Sequence, residues 1–199
     1  MNIAILASGN GTNFEAIAKA AKQGRIKADI KFVLTDKEDA FVRKRAARIG
    51  IRDLFVDPRK FASRLGFDKE IVKLLKKEKI DLIVLAGFMR ILSPEFVKSF
   101  KNKILNIHPA LLPAFKGEDA IKMTYRYGCK VAGVTVHFVD KNVDNGPIVL
   151  QEAIIIKEGL GLPELEEKIH SIEHRLYPQA INLYIQNKLK IRGRRVEII

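Results

Sequence analysis

Short apolar runs alternate with amphipathic stretches along most of this chain, and no other feature of the sequence constrains the fold as much. Asn2–Ala7 reads as a buried strand, followed by the turn Ser8-Gly9-Asn10-Gly11. From Asn13 the apolar residues change to helical spacing, with Phe14, Ile17, Ala18 and Ala21 on one stripe and Gly24 as the stop. The same alternation then repeats. Strand Ile30–Leu34 leads to helix Glu38–Ile49, with Phe41, Arg45 and Ile49 on one face. Strand Arg52–Val56 leads to a helix that Asp68 caps and that runs to Lys79. Strand Ile80–Ala86 is apolar throughout, as expected of a strand covered on both faces. Ser93-Pro94-Glu95 opens the next helix, and Ile104–Ile107 is the fifth strand.

Beyond the fifth strand the pattern changes. His108–Gly117 is loop-like, and Asp119–Tyr127 is helical. Val131–Val139 and Ile148–Ile156 read as two long strands joined across Asp140–Pro147, a hairpin. Pro163–Ile185 is a long helix, kinked or split at Pro178, and Leu189–Ile199 forms a small hairpin around Arg192-Gly193. The expected fold is α/β: an open, mostly parallel, Rossmann-like sheet with helices on both faces and an antiparallel section near the C-terminal part. With 199 residues, no repeats and no linker, residues 1–199 read as a single domain.

Composition removes several classes. Apolar residues make up 47% and charged residues 30%, which excludes a disordered, collagen-like or coiled-coil chain. Apolar stretches such as Leu82–Phe88 are too short to span a bilayer, so no membrane partner is expected. The start, Met1-Asn2-Ile3-Ala4-Ile5-Leu6, lacks the basic segment of a signal peptide. A lone Cys129 leaves no disulfide framework and no multi-cysteine zinc site. Cytoplasmic is the simplest compartment. The unusual quantity is charge: 36 Lys and Arg against 23 Asp and Glu give +13. That favours anionic partners, or simply a well-solvated surface.

In an open parallel sheet, ligands bind beyond the carboxyl ends of the strands. The turns after the first, fourth and fifth strands are therefore where site residues belong. After the first strand, Gly11, Thr12 and Asn13 combine a glycine with the N-terminus of a helix. That arrangement suits a phosphate, or is a plain tight turn. Phe14 stands where a dinucleotide fingerprint needs its third glycine, which removes the dehydrogenase reading. After the fifth strand, Asn106 and His108 share a side by strand period. An amide donor and a protonated imidazole converging on one point would stabilise a developing oxyanion, although a lone His more often closes a loop. Asp144, in Asp140–Pro147, would keep His108 charged if it reached it, or is a turn carboxylate bonding its own backbone. His137 alternates into a strand and reads as a buried structural residue, and Cys129 as incidental packing. No His, Asp or Glu spacing matches a metal site. On the long helix, Leu165, Ile169, Ile172 and Leu176 form the buried stripe. Glu166, His170, Glu173 and Tyr177 form a polar one that is either solvated or ligand-facing.

Four stretches together resemble one family nearly from end to end. They are Ala7–Phe14, Leu85–Leu92, Leu105–Pro113, and Gly133–Asp140 continuing to Asp144-Asn145-Gly146-Pro147. The chain is similar to the phosphoribosylglycinamide formyltransferases. The resemblance implies the formyltransferase fold and transfer of a formyl group from 10-formyltetrahydrofolate to the amine of glycinamide ribonucleotide, in purine biosynthesis, with no metal. It implies that Gly11, Thr12 and Asn13 hold the substrate phosphate, and that His170 and Glu173 meet its ribose. Met89, Arg90, Ile91 and Leu92 would line the pterin pocket, together with Asn106. The loop of Asp140, Lys141, Asn142, Val143 and Asp144 would close over it, and Arg64 would lie towards the folate tail. Asn106, His108 and Asp144 would be catalytic. The partners implied are small molecules, without nucleic acid. Nothing in the sequence speaks to oligomeric state.

Related activities fit less well. A formyltetrahydrofolate deformylase is expected to carry an additional N-terminal domain, yet the first strand begins at Asn2. A methionyl-tRNA formyltransferase is expected to add a C-terminal β domain, for which the tail after the long helix is too short. A nucleic-acid module would interleave basic residues with aromatics, but Lys188, Lys190, Arg192, Arg194 and Arg195 have none among them.

Overall fold

The computed structural model describes all 199 residues. The fold is α/β, and the chain divides into two compact units, Met1–Leu105 and Asn106–Ile199.

The first unit contains β1 (Asn2–Leu6), α1 (Thr12–Lys22), β2 (Asp29–Thr35), α2 (Phe41–Ile49), β3 (Asp53–Phe55), a 3-10 turn at Pro58–Lys60, α3 (Arg64–Lys77), β4 (Leu82–Leu85) and α4 (Pro94–Ser99). Its strands lie in the order β3-β2-β1-β4, each neighbouring pair parallel. Side chains along β1 and β4 are almost entirely buried, which is why both read as unbroken apolar runs. The chain builds outward from β1 through β2 to β3, then returns to β4 on the other side of β1. Strand order reverses there, and the turns after β1 and β4 meet, the Ser8 N–H donating to the Gly87 carbonyl at 3.0 Å.

Strand β5 (Ile104–His108) crosses the division. The second unit continues with α5 (Ala120–Tyr127), β6 (Val131–Phe138), β7 (Ile148–Ile155), α6 (Leu162–Ile185), β8 (Leu189–Arg192) and β9 (Arg195–Ile198). The order is β5-β6-β7-β9-β8. The β6–β7 and β8–β9 pairs are antiparallel hairpins, and β7 meets β9 in parallel at Ile148 and Arg195. Helix α6 covers β6 and β7, burying Leu165, Ile169, Ile172 and Leu176 as its spacing predicts.

Several local readings are corrected. Helix α2 starts at Phe41 rather than Glu38, because Thr35 Oγ1 accepts from the Lys37 N–H and turns the chain first. Its buried face is Val42 and Ala46, while Phe41 is exposed and Arg45 bonds outside the helix. On α1, Ala20 rather than Ala21 completes the buried stripe. Helix α3 begins four residues before Asp68, since Ser63 Oγ caps Gly66. Asp68 lies inside the helix, fully buried, with a different task. Helix α6 runs unbroken through Pro178. Burial of Leu176, Tyr177, Ala180 and Ile181 around the proline outweighs the roughly 3 kcal/mol that an interior proline costs.

Candidate active site

The second unit gathers four polar side chains at the end of β5. Asn106 and His108, two residues apart on one strand, face the same way. His108 is buried, and its two ring nitrogens each meet an acceptor: Nδ1 lies 3.3 Å from Asp144 Oδ2 and Nε2 2.7 Å from the Phe115 carbonyl. Only the doubly protonated imidazolium can donate to both. The Asn106 amide nitrogen lies 3.3 Å from Asp144 Oδ1 and 3.2 Å from His137 Nε2. His137 Nδ1 lies 2.9 Å from the Phe138 carbonyl, and its Nε2 lies 3.5 Å from Asp144 Oδ1 as well as beside the Asn106 amide.

The structure thus brings together all three residues singled out for chemistry and adds His137, which sequence reasoning set aside as structural. His137 is buried, as expected, but it also orients the Asn106 amide. Its only sequence signal was parity, since Thr135 and His137 share a face of β6. Both donors expected to serve an oxyanion are bonded within the protein. Using them on a substrate means exchanging partners, and the Phe115 carbonyl is the one to be replaced at His108.

Asp144 is held from several sides. Its Oδ2 accepts the Gly117 N–H at 2.9 Å, and its own backbone is left-handed at φ 45°. Burial disfavours its charge, but contact with His137, the Gly117 N–H and the charge of His108 outweigh that, so its carboxyl titrates below the usual carboxylate range. Two residues later, a Cβ on Gly146 would overlap the Phe138 carbonyl, so only glycine lets the loop return against β6. Of the rest of the loop, Asn145 accepts from Lys116 Nζ at 2.8 Å and from Arg194 at 2.9 Å, and Asp140 bonds within the loop. Asp140 accepts from the Asn142 N–H at 2.8 Å and the Asn145 amide at 3.3 Å, leaving Lys141, Asn142 and Val143 exposed. Below the cluster, buried Thr135 accepts from the Leu112 N–H and donates to the Ala110 carbonyl, fixing the loop after β5.

In the first unit the glycine turn has a packing reason as well as a chemical one. Gly11 sits at φ 77° as the residue ahead of α1, and a Cβ there would strike Val42. Thr12 and Asn13 follow in the first turn of α1, whose N–H groups lack intrahelical partners. Arg45 from α2 donates to the Asn10 carbonyl at 2.8 Å and to its side chain at 2.7 Å, and pairs with Glu15. It places a cation beside the turn that sequence reasoning assigned to an apolar face.

The loop carrying Met89, Arg90, Ile91 and Leu92 is tied at both ends by buried side chains. Ser8 Oγ accepts the Met89 N–H at 2.9 Å, and Asp68 accepts the Ser93 N–H at 2.6 Å. Between these ties Met89 and Ile91 stand out exposed and Leu92 turns inward. Arg90 lies over the Phe67 ring at 4.7 Å. Arg64 is exposed at the first position of α3.

On α6, His170 Nδ1 lies 2.8 Å from buried Glu173. That hydrogen bond, opposed by partial burial and helped by the charges of Glu173 and Glu166, raises the His170 pKa above the usual histidine value. Nowhere do three or more His, Cys, Asp or Glu side chains stand where they could share a metal ion. No helix is long and apolar enough to cross a membrane.

Residues 1–181 match the Formyl transferase family. Over 178 residues the chain is 42% identical to a phosphoribosylglycinamide formyltransferase of Bacillus subtilis (strain 168), covering 89% of this chain and 91% of that one. The enzyme of the same description from Escherichia coli (strain K12) is 37% identical over 191 residues, 96% of this chain and 90% of the other. The crystal structure of glycinamide ribonucleotide transformylase 1 from Symbiobacterium toebii superposes with a TM-score of 0.97 at 44% identity, covering 100% of this chain and 94% of that one. The alternating α/β order, the Asn106–His108–Asp144 cluster and these likenesses agree: the chain belongs to the formyl transferase family, in its phosphoribosylglycinamide formyltransferase branch.

Proposed function

We propose that this chain, with residues 1–199 acting as one formyltransferase domain, transfers the formyl group of 10-formyltetrahydrofolate to the amine of glycinamide ribonucleotide, giving formylglycinamide ribonucleotide and tetrahydrofolate. The observation that carries the chemical part is the His108 ring, buried between the Asp144 carboxylate and a backbone carbonyl. In the transfer, the substrate amine attacks the formyl carbon, a C–N bond forms, and the carbonyl oxygen takes on negative charge. His108 Nε2–H releases the Phe115 carbonyl and donates to that oxygen. Asn106 supplies a second N–H, with its amide orientation kept by His137. Asp144 keeps its hold on Nδ1–H, so His108 stays cationic as charge develops. As the bond to the folate nitrogen breaks, the proton lost by the amine passes to that nitrogen, assisted by the His108–Asp144 pair.

Binding is divided by chemistry. Gly11, Thr12 and Asn13 take the ribonucleotide phosphate at the start of α1, with Arg45 adding positive charge behind the turn. His170 and Glu173 take the ribose, the carboxylate accepting from hydroxyls. Met89, Arg90, Ile91 and Leu92 take the pterin through backbone groups, the loop Asp140, Lys141, Asn142, Val143, Asp144 covers it, and Arg64 faces the tail carboxylates. The reading places the chain among cytoplasmic enzymes of small molecules, with neither nucleic acid nor membrane as partner.

The test is amine dependence. Purified protein given 10-formyltetrahydrofolate releases tetrahydrofolate only when glycinamide ribonucleotide is added. Release at the same rate without the amine would make the chain a hydrolase instead.

A further inference from the structure

An open groove of about 730 Å3 lies in the first unit beyond the carboxyl ends of β2 and β3, lined by Asp36, Lys37, Phe55, Pro58 and Arg90 among others. Asp36 directly follows β2, and its side chain is only 6% exposed, yet its carboxylate makes no hydrogen bond. Its nearest charged partner is Arg90, whose guanidinium nitrogen is 3.8 Å away, beyond hydrogen-bond reach. Arg90 has an unsatisfied group of its own, since its buried Nε–H finds no acceptor. The other ion pair on the groove is complete within itself: Arg59 donates to both carboxylate oxygens of Asp57. A buried carboxylate and a buried guanidinium N–H left unsatisfied side by side are costly in free energy, and native structures retain such groups where something else satisfies them.

The geometry points to a ribonucleoside site in this groove, in which Asp36 accepts hydrogen bonds from the 2′- and 3′-hydroxyls of the ribose and Arg90 donates to one of them. A carboxylate wants donors and a guanidinium wants an acceptor, and a vicinal diol offers both in one rigid unit. The position agrees, because an acidic side chain just past the second strand of a βαβ unit is where a ribose diol docks on an open parallel sheet. Phe55 and Pro58 give a base an apolar wall, Lys37 can meet a 5′-phosphate, and the volume lies in the range of small-molecule pockets. The ligand is a mononucleoside rather than a dinucleotide, because fully buried Phe14 occupies the place of the glycine against which a pyrophosphate would pass. This groove is separate from the ribose contact proposed for His170 and Glu173.

The site is tested by calorimetric titration with adenosine and adenosine 5′-monophosphate, without folate or glycinamide ribonucleotide, so that failure here leaves the transfer reaction untouched. Adenosine and its monophosphate bind, and 2′,3′-dideoxyadenosine binds roughly tenfold or more weakly. In Asp36→Ala that discrimination disappears while Tm stays at or above the wild-type value, because the lost carboxylate had no hydrogen bond. Equal binding of adenosine and the dideoxy compound overturns the proposal, as does discrimination that survives in Asp36→Ala. Absence of any nucleoside binding overturns it as well. Ribose 5-phosphate binding as tightly as the nucleotide removes the base from the site and reduces it to a general polyol site. A lower Tm for Asp36→Ala makes Asp36 a structural residue.

Discussion

Two loops carry most of the proposed folate contacts, and they are held in opposite ways. The loop after β4 is fixed by side chains far away in sequence, Ser8 at one end and Asp68 at the other, both almost fully buried. The loop Asp140–Gly146 is fixed over its first half by itself, through Asp140 bonding two and five residues ahead, and near its end by Asn145, which accepts from Lys116 and Arg194. Its outer residues are exposed, and it meets buried structure only at Asp144 and Gly146. The difference teaches where rigidity resides. A buried hydrogen bond has no water to replace it, so the first loop is held firmly at both ends. The second is anchored at its end, Asp144 to Gly146, and leaves the exposed span Lys141–Val143 ahead of that anchor held only by Asp140.

The largest effects therefore fall on Asp144 and Gly146. Asp144→Asn keeps the shape but removes the charge facing His108, so turnover drops by roughly 10²–10³ while ribonucleotide affinity, read by calorimetry, changes far less. Near-normal turnover would remove Asp144 from the chemistry. The same carboxylate sets an acid limit. Its folded pKa is depressed, so its stabilisation is fully present above the ordinary carboxylate value and is lost as pH falls through the folded one. The stability gap between wild type and Asp144→Asn therefore narrows on acidification, and a widening gap would reverse the assignment. Gly146→Ala comes next. Its methyl meets a backbone carbonyl rather than a flexible side chain, so the loss is about 3 kcal/mol in denaturant unfolding, at the upper end for overpacking. An unchanged midpoint would mean the loop can slide on β6.

How much of this was legible in the sequence follows the same division. Strand and helix order was readable because burial writes period into sequence: β1 and β4 are covered on both faces, and α6 repeats its buried stripe over many turns. Asn106 and His108 were readable because strand parity alone puts them on one side. What could not be read are partnerships across long sequence separations. Asp68 looked like a cap, since an acid before an apolar run fits that pattern, but its partner is Ser93. Arg45 looked like part of a helix face because its partners, Asn10 and Glu15, lie on another element. His137 was assigned to burial, correctly, and its contact with Asn106 was invisible because two strands had to be paired first. Pro178 misled because propensity is local and the packing that overrides it is not.

The buried tie supplies the third test. Asp68→Ala leaves the Ser93 N–H buried without an acceptor and costs about 1–3 kcal/mol. Because that N–H ends the loop from Met89 to Leu92, KM for 10-formyltetrahydrofolate rises more than kcat falls, and KM for the ribonucleotide stays put. Asp68→Asn retains an acceptor oxygen and restores most of the folate KM. If both variants lose stability with no change in folate KM, the tie serves the fold alone.

The smallest effect is the one that separates the two loops most cleanly. Asp140→Ala removes two hydrogen bonds, twice as many as Asp68→Ala, so a simple count would make it the more damaging change. Burial reverses that order. The Asn142 N–H that loses its acceptor belongs to an exposed residue and exchanges the carboxylate for water, so the expected loss in denaturant unfolding is within about 0.5 kcal/mol. What does change is the freedom of the span Lys141–Val143, which loses its local bonds while Asp144 and Gly146 remain anchored. Amide exchange over those three residues therefore speeds up in Asp140→Ala without any matching change in the loop after β4. A stability loss equal to that of Asp68→Ala would show that the second loop is as tightly built as the first, and the contrast between them would fail.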